Sequence, residues 1–219
     1  MSSRHYSHLY RQLRDLDPHD YQRVIRRYEE MEAEVGRLDV LEHFEITTYY
    51  VDALYQTGAY RQHQMMVDLV IENAIRHSIR SVAGISDDVY QHLLFRKAAA
   101  AFRLHDFTTA VHIGRELVRM APDRELYVRF LRVALFRQQT ATLQFGRAGF
   151  VFCVLAAAFL IMINLLWVTP FFPPLVYAFR VTIGIVFTSG LLCLLGAYGL
   201  AHLRAHRAAY RFQAAQLNK

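Results

Sequence analysis

The chain has 219 residues, of which 54% are hydrophobic and 20% are charged, and this composition excludes a largely disordered protein. Its two cysteines exclude a disulfide-dense secreted scaffold and a cysteine-rich zinc fold. All nineteen acidic residues lie between Asp15 and Glu125, whereas the chain from Leu126 onward carries eight arginines, Lys219 and no acid. Such an asymmetry of charge indicates two physically different parts.

Residues 4–145 are predicted to be helical, because no window alternates apolar and polar residues for long. Asp17 before a proline, and Asp39 at capping-box spacing from Glu42, are typical of helix starts, and Gly58 is typical of a helix end. The predicted helices cover residues 4–15, 18–36, 40–57, 59–78, 87–104, 106–120 and 123–143. The short connections between them favour stacked antiparallel hairpins.

A turn followed by an aromatic residue recurs three times in this part, at Tyr21, Tyr60 and Phe107. Each aromatic residue is predicted to open the second helix of a pair. The spacings are 39 and 47 residues. A repeated helical hairpin buries its apolar stripe against its neighbours, which is the architecture of an α-solenoid.

The stretch Leu93–Pro122 resembles the tetratricopeptide repeat. Ala98 and Ala110 match the small residues of that family's two helices, Phe107 matches its turn aromatic, and Pro122 matches its closing proline. The match is weaker in the other hairpins: His63 stands where alanine is usual, and neither spacing equals the family's ~34 residues. The family's leading tryptophan is absent. The sequence leaves an unrelated helical bundle open as the alternative.

The resemblance implies a concave groove, lined by the first helix of each pair, that binds a peptide or a partner helix. Carried over position by position, it places eight residues in this groove: Glu45, Thr48, Asp52, Gln56, His92, Phe95, Ala99 and Arg103. Arg103 would hold a carboxylate and Phe95 would provide an apolar anchor. The alternative for each of these residues is a structural role, in the core or on the solvated surface.

Two apolar segments without charge follow, at residues 148–168 and 181–201. As helices, each would be about 31 Å long, close to the ~30 Å hydrocarbon thickness of a bilayer. A buried helix of a small soluble protein keeps a polar stripe, whereas the first segment offers only Asn164. Residues 146–201 are therefore predicted to form a transmembrane hairpin, with prolines 170, 173 and 174 ending its first helix. Arginines precede the first segment and follow the second. Both termini are therefore expected in the cytosol, at the plasma or inner membrane if the protein is bacterial.

Small or polar residues within the two segments are predicted to pack the hairpin, mostly at four-residue spacing. These residues are Gly149, Cys153, Asn164, Thr182, Gly184, Ser189 and Cys193. No Asp, Glu, Lys or His lies inside either segment, which argues against a proton relay. The cysteines are interpreted as packing residues, because apolar burial keeps a thiol protonated.

Residues 202–219 are predicted to be a basic cytosolic tail. Arg204, Arg207 and Arg211 in this tail, and Arg147 before the first span, are predicted to contact anionic lipid headgroups. Nucleic acid is the less favoured partner, because the tail directly follows a predicted transmembrane helix.

The sequence contains no phosphate-binding loop, nucleophile elbow or metalloprotease motif. Only His202 and His206 have the i, i+4 spacing of helical metal ligands, and no acid or cysteine lies nearby to complete a site. The sequence therefore predicts no metal, no cofactor and no enzymatic activity.

The function that the sequence favours is a membrane-anchored adaptor or scaffold, in which residues 1–145 bind a protein partner at the bilayer. The alternative is an oligomerising membrane effector or channel subunit whose hairpins form a pore or perturb the bilayer. An assembly subunit of a larger membrane complex is compatible with the same features, as is a homo-oligomer. The identity of the partner is not indicated.

Overall fold

In a computed structural model of the chain, residues 7–14, 20–79 and 88–217 are described. These residues are almost entirely helical, and no β-strand occurs among them, which confirms the predicted all-α class. They belong to two compact units, Met1–Tyr127 and Val128–Lys219.

The first unit is built from short helices that pack on their neighbours in the chain. They are α1 (His8–Arg14), α2 (Tyr21–Glu30), α3 (Glu32–Val35), α4 (Val40–Gln56), α5 (Tyr60–Arg76), α6 (Val89–Arg103), α7 (Phe107–Met120) and the start of α8 (Glu125–Gln138). α4 packs on α5, α5 on α6, and α6 on α7, while α2 packs on α4. The aromatic residues Tyr21, Tyr60 and Phe107 open α2, α5 and α7, as predicted.

One predicted helix is divided in two. The expected helix over residues 18–36 is interrupted at Met31, where φ is −115° and the backbone N–H bonds to the carbonyl of Tyr28, three residues earlier. An i→i−3 bond tightens the turn and takes the chain out of the α-helical pattern. The unit therefore has a short helix, α3, that the sequence pattern did not separate from α2.

Aspartate side chains cap three helices by accepting a backbone N–H in the first turn. The pairs are Asp20 with Arg23 (3.2 Å), Asp88 with Tyr90 (2.9 Å) and Asp106 with Thr109 (3.1 Å). The capping box predicted at Asp39 is wrong: among the described residues its side chain makes no capping bond, and Glu42 accepts the N–H of Ser7 (2.8 Å) instead. The start predicted at Asp17 lies outside the described residues.

The core of the first unit lies where α4, α5 and α6 meet. Val51, Leu54, Val67, Val70 and Leu93 are each at most 1% exposed there. Full burial of such side chains contributes roughly 1.5–3 kcal/mol each. α5 packs on both α4 and α6 across this core.

The second unit contains the remainder of α8 and a helical hairpin. The hairpin consists of α9 (Thr140–Ile163), a π-helical turn (Asn164–Val168), α10 (Thr169–Phe171), a 3₁₀ turn (Pro173–Leu175) and α11 (Val176–Leu217). Glycines of α9 and α11 lie opposite residues of the other helix in reversed order, so the two helices are antiparallel. By length and composition, the stretches Leu143–Phe171 and Val176–Leu217 are both able to cross a membrane.

Helical turns continue past Val168, the last residue of the predicted apolar segment, through Pro170 to Phe171, so the helix ends before Pro173 and not at Pro170. Proline lacks an N–H, and its ring clashes with the carbonyl of an α-helix. The π turn in front of Pro170 moves the hydrogen bonds to five-residue spacing, with the N–H of Thr169 bonded to the carbonyl of Asn164. The proline is accommodated there, and the helix ends only before the next proline.

Candidate functional site

The hairpins α4–α5 and α6–α7 have the same turn geometry at an offset of 47 residues. Backbone φ is positive at Gly58 (83°) and at His105 (63°). Each of these residues, and the one after it, donates a backbone N–H to the last turn of the preceding helix. These bonds are Gly58 to Tyr55 (3.2 Å), Ala59 to Leu54 (3.0 Å), His105 to Phe102 (3.2 Å) and Asp106 to Ala101 (3.0 Å).

The aromatic contacts at the two turns are also equivalent. Tyr55 meets Tyr60 edge to face, with ring centroids 5.6 Å apart. Phe102 meets Phe107 in the same way at 5.4 Å. In both hairpins, the aromatic residue that opens the second helix packs on a ring in the last turn of the first helix. Such edge-to-face pairs contribute roughly 0.5–1.5 kcal/mol beyond their buried area.

Side chains on α4 and α6 connect these two helices to each other and to α1. The hydroxyl of Tyr10 on α1 donates to the carboxylate of Glu45 on α4. Asp52 on α4 lies 3.4 Å from Nε2 of His92 and 3.4 Å from Nε of Arg96, both on α6. Glu45 and His92 are separated by the same 47 residues, and each contacts the preceding first helix.

The contact between α6 and the start of α8 extends this series. The rings of Phe95 and Tyr127 lie 5.7 Å apart, and the Tyr127 hydroxyl donates to Oε1 of Gln91 (3.4 Å). A series of lateral contacts therefore runs from α1 through α4 and α6 to α8.

The eight residues predicted to line a groove differ in burial and fall into three classes: buried, partly buried and exposed. Thr48 is buried, and its hydroxyl donates to the carbonyl of Phe44 (2.8 Å). Glu45, Asp52, His92 and Phe95 are partly buried and make the lateral contacts described above, and Ala99 is partly buried. Gln56 and Arg103 are exposed. These two residues occupy equivalent positions near the ends of α4 and α6, and their side chains can reach a partner without breaking a lateral contact.

The sequence did not predict the ion pair of Asp52 with Arg96, or the two rings that lie next to Arg96 in this cluster. The guanidinium of Arg96 lies over the ring of Tyr55, 4.6 Å from its centroid, and Tyr55 packs edge to face on His63 at 5.5 Å. Arg96 lies one helical turn after His92, and this i, i+4 spacing could have indicated that both face α4. His63 is fully buried, and neither of its ring nitrogens forms a hydrogen bond to any described residue.

Burial sets the charge state of His63. Desolvation disfavours the imidazolium, and the nearby Arg96 charge adds to this effect, while Asp52 and Asp68 oppose it. The net result lowers the pKa of His63 to about 4. The ring is therefore neutral at pH 7 and packs as a core side chain.

The second unit brings together only some of the predicted packing residues. A Cβ built at Gly149 would lie 3.2 Å from Sγ of Cys193, whereas a Cβ built at Gly184 would meet nothing within 4 Å. The hydroxyls of Thr182 and Ser189 donate to carbonyls of their own helix, at 2.9 and 2.8 Å. The predicted contact face on α11 is therefore only partly right, with Cys193 in the interface and Gly184 outside it.

Two interface residues, Gly146 and Gly190, were not predicted. A Cβ at Gly146 would lie 2.4 Å from Cβ of Ala197, and a Cβ at Gly190 would lie 2.6 Å from Cβ of Cys153. The helices approach closely at these glycines. The signal that could have identified Gly190 is the recurrence of small residues at three- and four-residue spacing from Gly190 through Cys193 and Ala197 to Ala201.

Asn164 lies in the π turn, and its side-chain Oδ1 is buried without a hydrogen bond to any described residue. Its backbone carbonyl accepts from the hydroxyl of Thr169 (2.7 Å). The Thr182 hydroxyl donates to the carbonyl of Ala178 on its own helix (2.9 Å).

The basic residues of the second unit differ in their surroundings. Arg147 donates to the hydroxyl of Tyr198 from both Nε (3.1 Å) and Nη2 (2.7 Å). Arg204, Arg207 and Arg211 are exposed on α11. His206 stacks on Tyr210 at 4.5 Å, and His202 meets Phe136 edge to face at 6.2 Å. The described residues contain no group of three or more His, Cys, Asp or Glu side chains able to hold a metal ion.

Comparison with protein-family models, curated proteins and solved structures gave no match for this chain.

Proposed function

We propose that the chain is a membrane-anchored adaptor. Its first unit binds a protein partner through a tetratricopeptide-like stack of helical hairpins, and α9 and α11 hold that unit at a bilayer. In this proposal the protein has no catalytic role.

The observation that carries the adaptor proposal is the series of lateral contacts from α1 through α4 and α6 to α8. Equivalent turns, equivalent aromatic pairs and equivalent lateral contacts at an offset of 47 residues support a repeated hairpin, since each unit then buries its apolar side against the next. Stacked hairpins place their first helices on one face, and extended faces of this kind bind peptides and helices.

Exposed apolar side chains support insertion into a bilayer. Phe152 and Leu165 on one side of the hairpin, and Leu192 on α11, are each about 70% exposed (72%, 70% and 68%). Soluble proteins rarely expose contiguous apolar patches larger than a few hundred Å². Lipid would cover these side chains and remove the unfavourable contact of their apolar surface with water.

The proposed topology rests on the distribution of arginines along the antiparallel helices α9 and α11. The start of α9 and the end of α11 lie at the same end of the hairpin, and this end carries Arg147, Arg204, Arg207 and Arg211. The connecting turn and the start of α11 contribute only Arg180. An excess of arginine marks the cytosolic side, so the first unit would lie in the cytosol.

Gln56 and Arg103 are the groove residues we assign to partner contact, because they are exposed and make no lateral bond to another helix within the described part of the chain. Arg103 would bind a carboxylate of the partner through its planar guanidinium. Asp52 and His92, by contrast, would keep α4 and α6 in register.

Affinity purification of the full chain from detergent extracts tests this assignment. We expect one partner to co-purify with the wild type and to be lost with Arg103→Glu, since charge reversal repels an acidic contact. Arg115→Glu is the matched control, because Arg115 is an exposed arginine on the second helix α7. Equal recovery of the partner with all three proteins would refute the assignment of Arg103, and the absence of any specific partner would refute the adaptor proposal.

An oligomerising membrane effector is the second candidate. It is favoured by Gly184, Gly196 and Gly199 of α11, since a Cβ at any of them would meet nothing within 4 Å and another helix could approach closely there. If expression of the full chain depolarises cells, and residues 148–219 alone do not, the effector is supported over the adaptor.

A further inference from the structure

α11 does not stop where its apolar segment stops. It continues as one helix from Val176 to Leu217, sixteen residues past Ala201. At ~1.5 Å per residue, this extension is about 24 Å long. Successive side chains of a continuous helix are rotated by ~100° about its axis. The face of α11 on which each arginine of the predicted tail lies is therefore fixed.

The rotation of this extension is set by buried alanines at four-residue spacing. Ala201, Ala205 and Ala209 are each 0% exposed. With ~100° per residue, the three arginines Arg204, Arg207 and Arg211 fall within an arc of about 60° on a different side of the helix. All three are exposed. We call these three residues the arginine stripe.

The arginine stripe begins directly after the apolar segment. Measured along the helix from Ala201, Arg204 lies about 5 Å, Arg207 about 9 Å and Arg211 about 15 Å further on. The headgroup region adds roughly 5–7 Å to each side of the hydrocarbon core. Arg204 therefore lies at the depth of the headgroups, and Arg207 and Arg211 lie within about one Debye length of them, ~8 Å at physiological ionic strength.

The stripe lacks charge compensation from its own part of the chain. No acidic residue occurs from Leu126 to the last residue. Within residues 7–14, 20–79 and 88–217, none of the three guanidinium groups forms an ion pair. Arg147 differs, since two of its nitrogens are engaged by the Tyr198 hydroxyl. Of the four arginines predicted to contact headgroups, Arg147 is therefore held by Tyr198, and the three arginines of the stripe can bind a headgroup.

We propose that the arginine stripe is a binding site for anionic phospholipid headgroups and selects them over zwitterionic ones. Each planar guanidinium donates two hydrogen bonds to phosphate oxygens, and the summed positive charge favours headgroups with net negative charge. The site rests on the proposed function, because it requires α11 to cross the bilayer. It adds a specific lipid partner, which holds the end of α11 at the anionic leaflet.

Native mass spectrometry of the full chain in detergent, titrated with phosphatidylglycerol or phosphatidylcholine, tests the site. We expect the wild type to prefer phosphatidylglycerol. The triple variant R204Q/R207Q/R211Q should lose that preference by about fivefold per arginine removed, since a base near the surface contributes ~1 kcal/mol. R204K/R207K/R211K should retain a preference from charge but bind more weakly, because an ammonium lacks the bidentate fork.

Arg180→Gln is the matched control, because Arg180 is exposed on the same helix at its opposite end. This variant should leave the preference unchanged. An unchanged preference in the triple variant, or an equal loss with Arg180→Gln, would overturn the site. Binding of duplex RNA through the stripe without any lipid preference would overturn it as well.

Carbonate extraction separates this result from the proposed function. If the wild type leaves the membrane fraction, insertion itself fails and the site fails with it. If the wild type and the triple variant both stay in the membrane fraction and bind the two lipids alike, insertion holds and only the headgroup site is wrong.

Discussion

His63 shows how one buried polar side chain can control the stability of the first unit. Its ring lies against Tyr55, between α4 and α6, with no exposed surface. The charges of Asp52 on α4 and Arg96 on α6 both act on this ring from α5. Its charge state therefore bears directly on the packing of α4, α5 and α6.

We expect acid to destabilise the first unit through His63. Its pKa is lowered to about 4 in the folded chain, against 6.5 for an unperturbed histidine. The unfolded state then binds a proton first as pH falls, so stability is lost between about pH 6.5 and pH 4 and the loss stops below that range. The expected loss is about 3 kcal/mol, which urea titrations of the full chain in detergent, followed by circular dichroism, would measure.

His63→Ala provides the comparison for this pH dependence. The variant is less stable at pH 7, because it leaves a cavity in the core. It should nevertheless lose less stability than the wild type between pH 6.5 and pH 4, since the titrating group is gone. Parallel pH profiles of the two proteins would show that carboxylates, and not His63, cause the acid sensitivity.

At the scale of elements, the hairpin of α9 and α11 depends on the absence of side chains at its contact points. Gly146 and Gly190 allow the helices to approach until Ala197 and Cys153 occupy the space a Cβ would need. In a bilayer, such close packing replaces the hydrophobic driving force that is missing between helices surrounded by lipid. The interface is therefore expected to be sensitive to side-chain volume at these two glycines.

Gly190→Val should weaken the hairpin, because the new Cβ would lie 2.6 Å from that of Cys153 and the helices must separate. The expected loss is about 1–3 kcal/mol, measured by titration of the folded hairpin with a denaturing detergent. Gly184→Val is the control within the same helix, since its Cβ would meet nothing within 4 Å. Equal losses in both variants would mean that the lower stability comes from helix propensity and not from the close approach of the two helices.

At the scale of the whole molecule, the chain divides into two units, Met1–Tyr127 and Val128–Lys219. In the proposed function, the first would bind the partner and the second would provide the anchor. The charge distribution agrees with this division. Acidic residues are confined to the first 125 residues, and the remainder is purely basic. A basic anchor is attracted to an anionic membrane surface, whereas acids near that surface would be repelled.

Replacement of residues 146–201 by an unrelated two-helix anchor separates the two candidate functions. If the chain is an adaptor, the replaced protein should recover the same partner from detergent extracts, because the groove is intact. If the chain is an effector, its action depends on the hairpin itself and should be abolished. The measurements are partner recovery and membrane potential in cells that carry either form.

The sequence alone was sufficient for the features that depend on neighbouring residues. The apolar runs of the second unit predict long helices, the recurring aromatic residues predict the starts of α2, α5 and α7, and Gly58 predicts an end. Hydropathy, capping and positive φ act over a few residues, so their pattern is visible in the chain itself. The capping box at Asp39 failed because Glu42 found a partner 35 residues away in the chain.

Only the tertiary structure decided which side chains meet across helices. Asp52 and His92 are 40 residues apart, Arg147 and Tyr198 are 51 apart, and no local pattern pairs them. The same holds for the hairpin, where Gly190 and not Gly184 faces α9. The reason is that lateral contacts depend on the rotation and register of whole helices, which are set by the sum of core packing and not by any single residue.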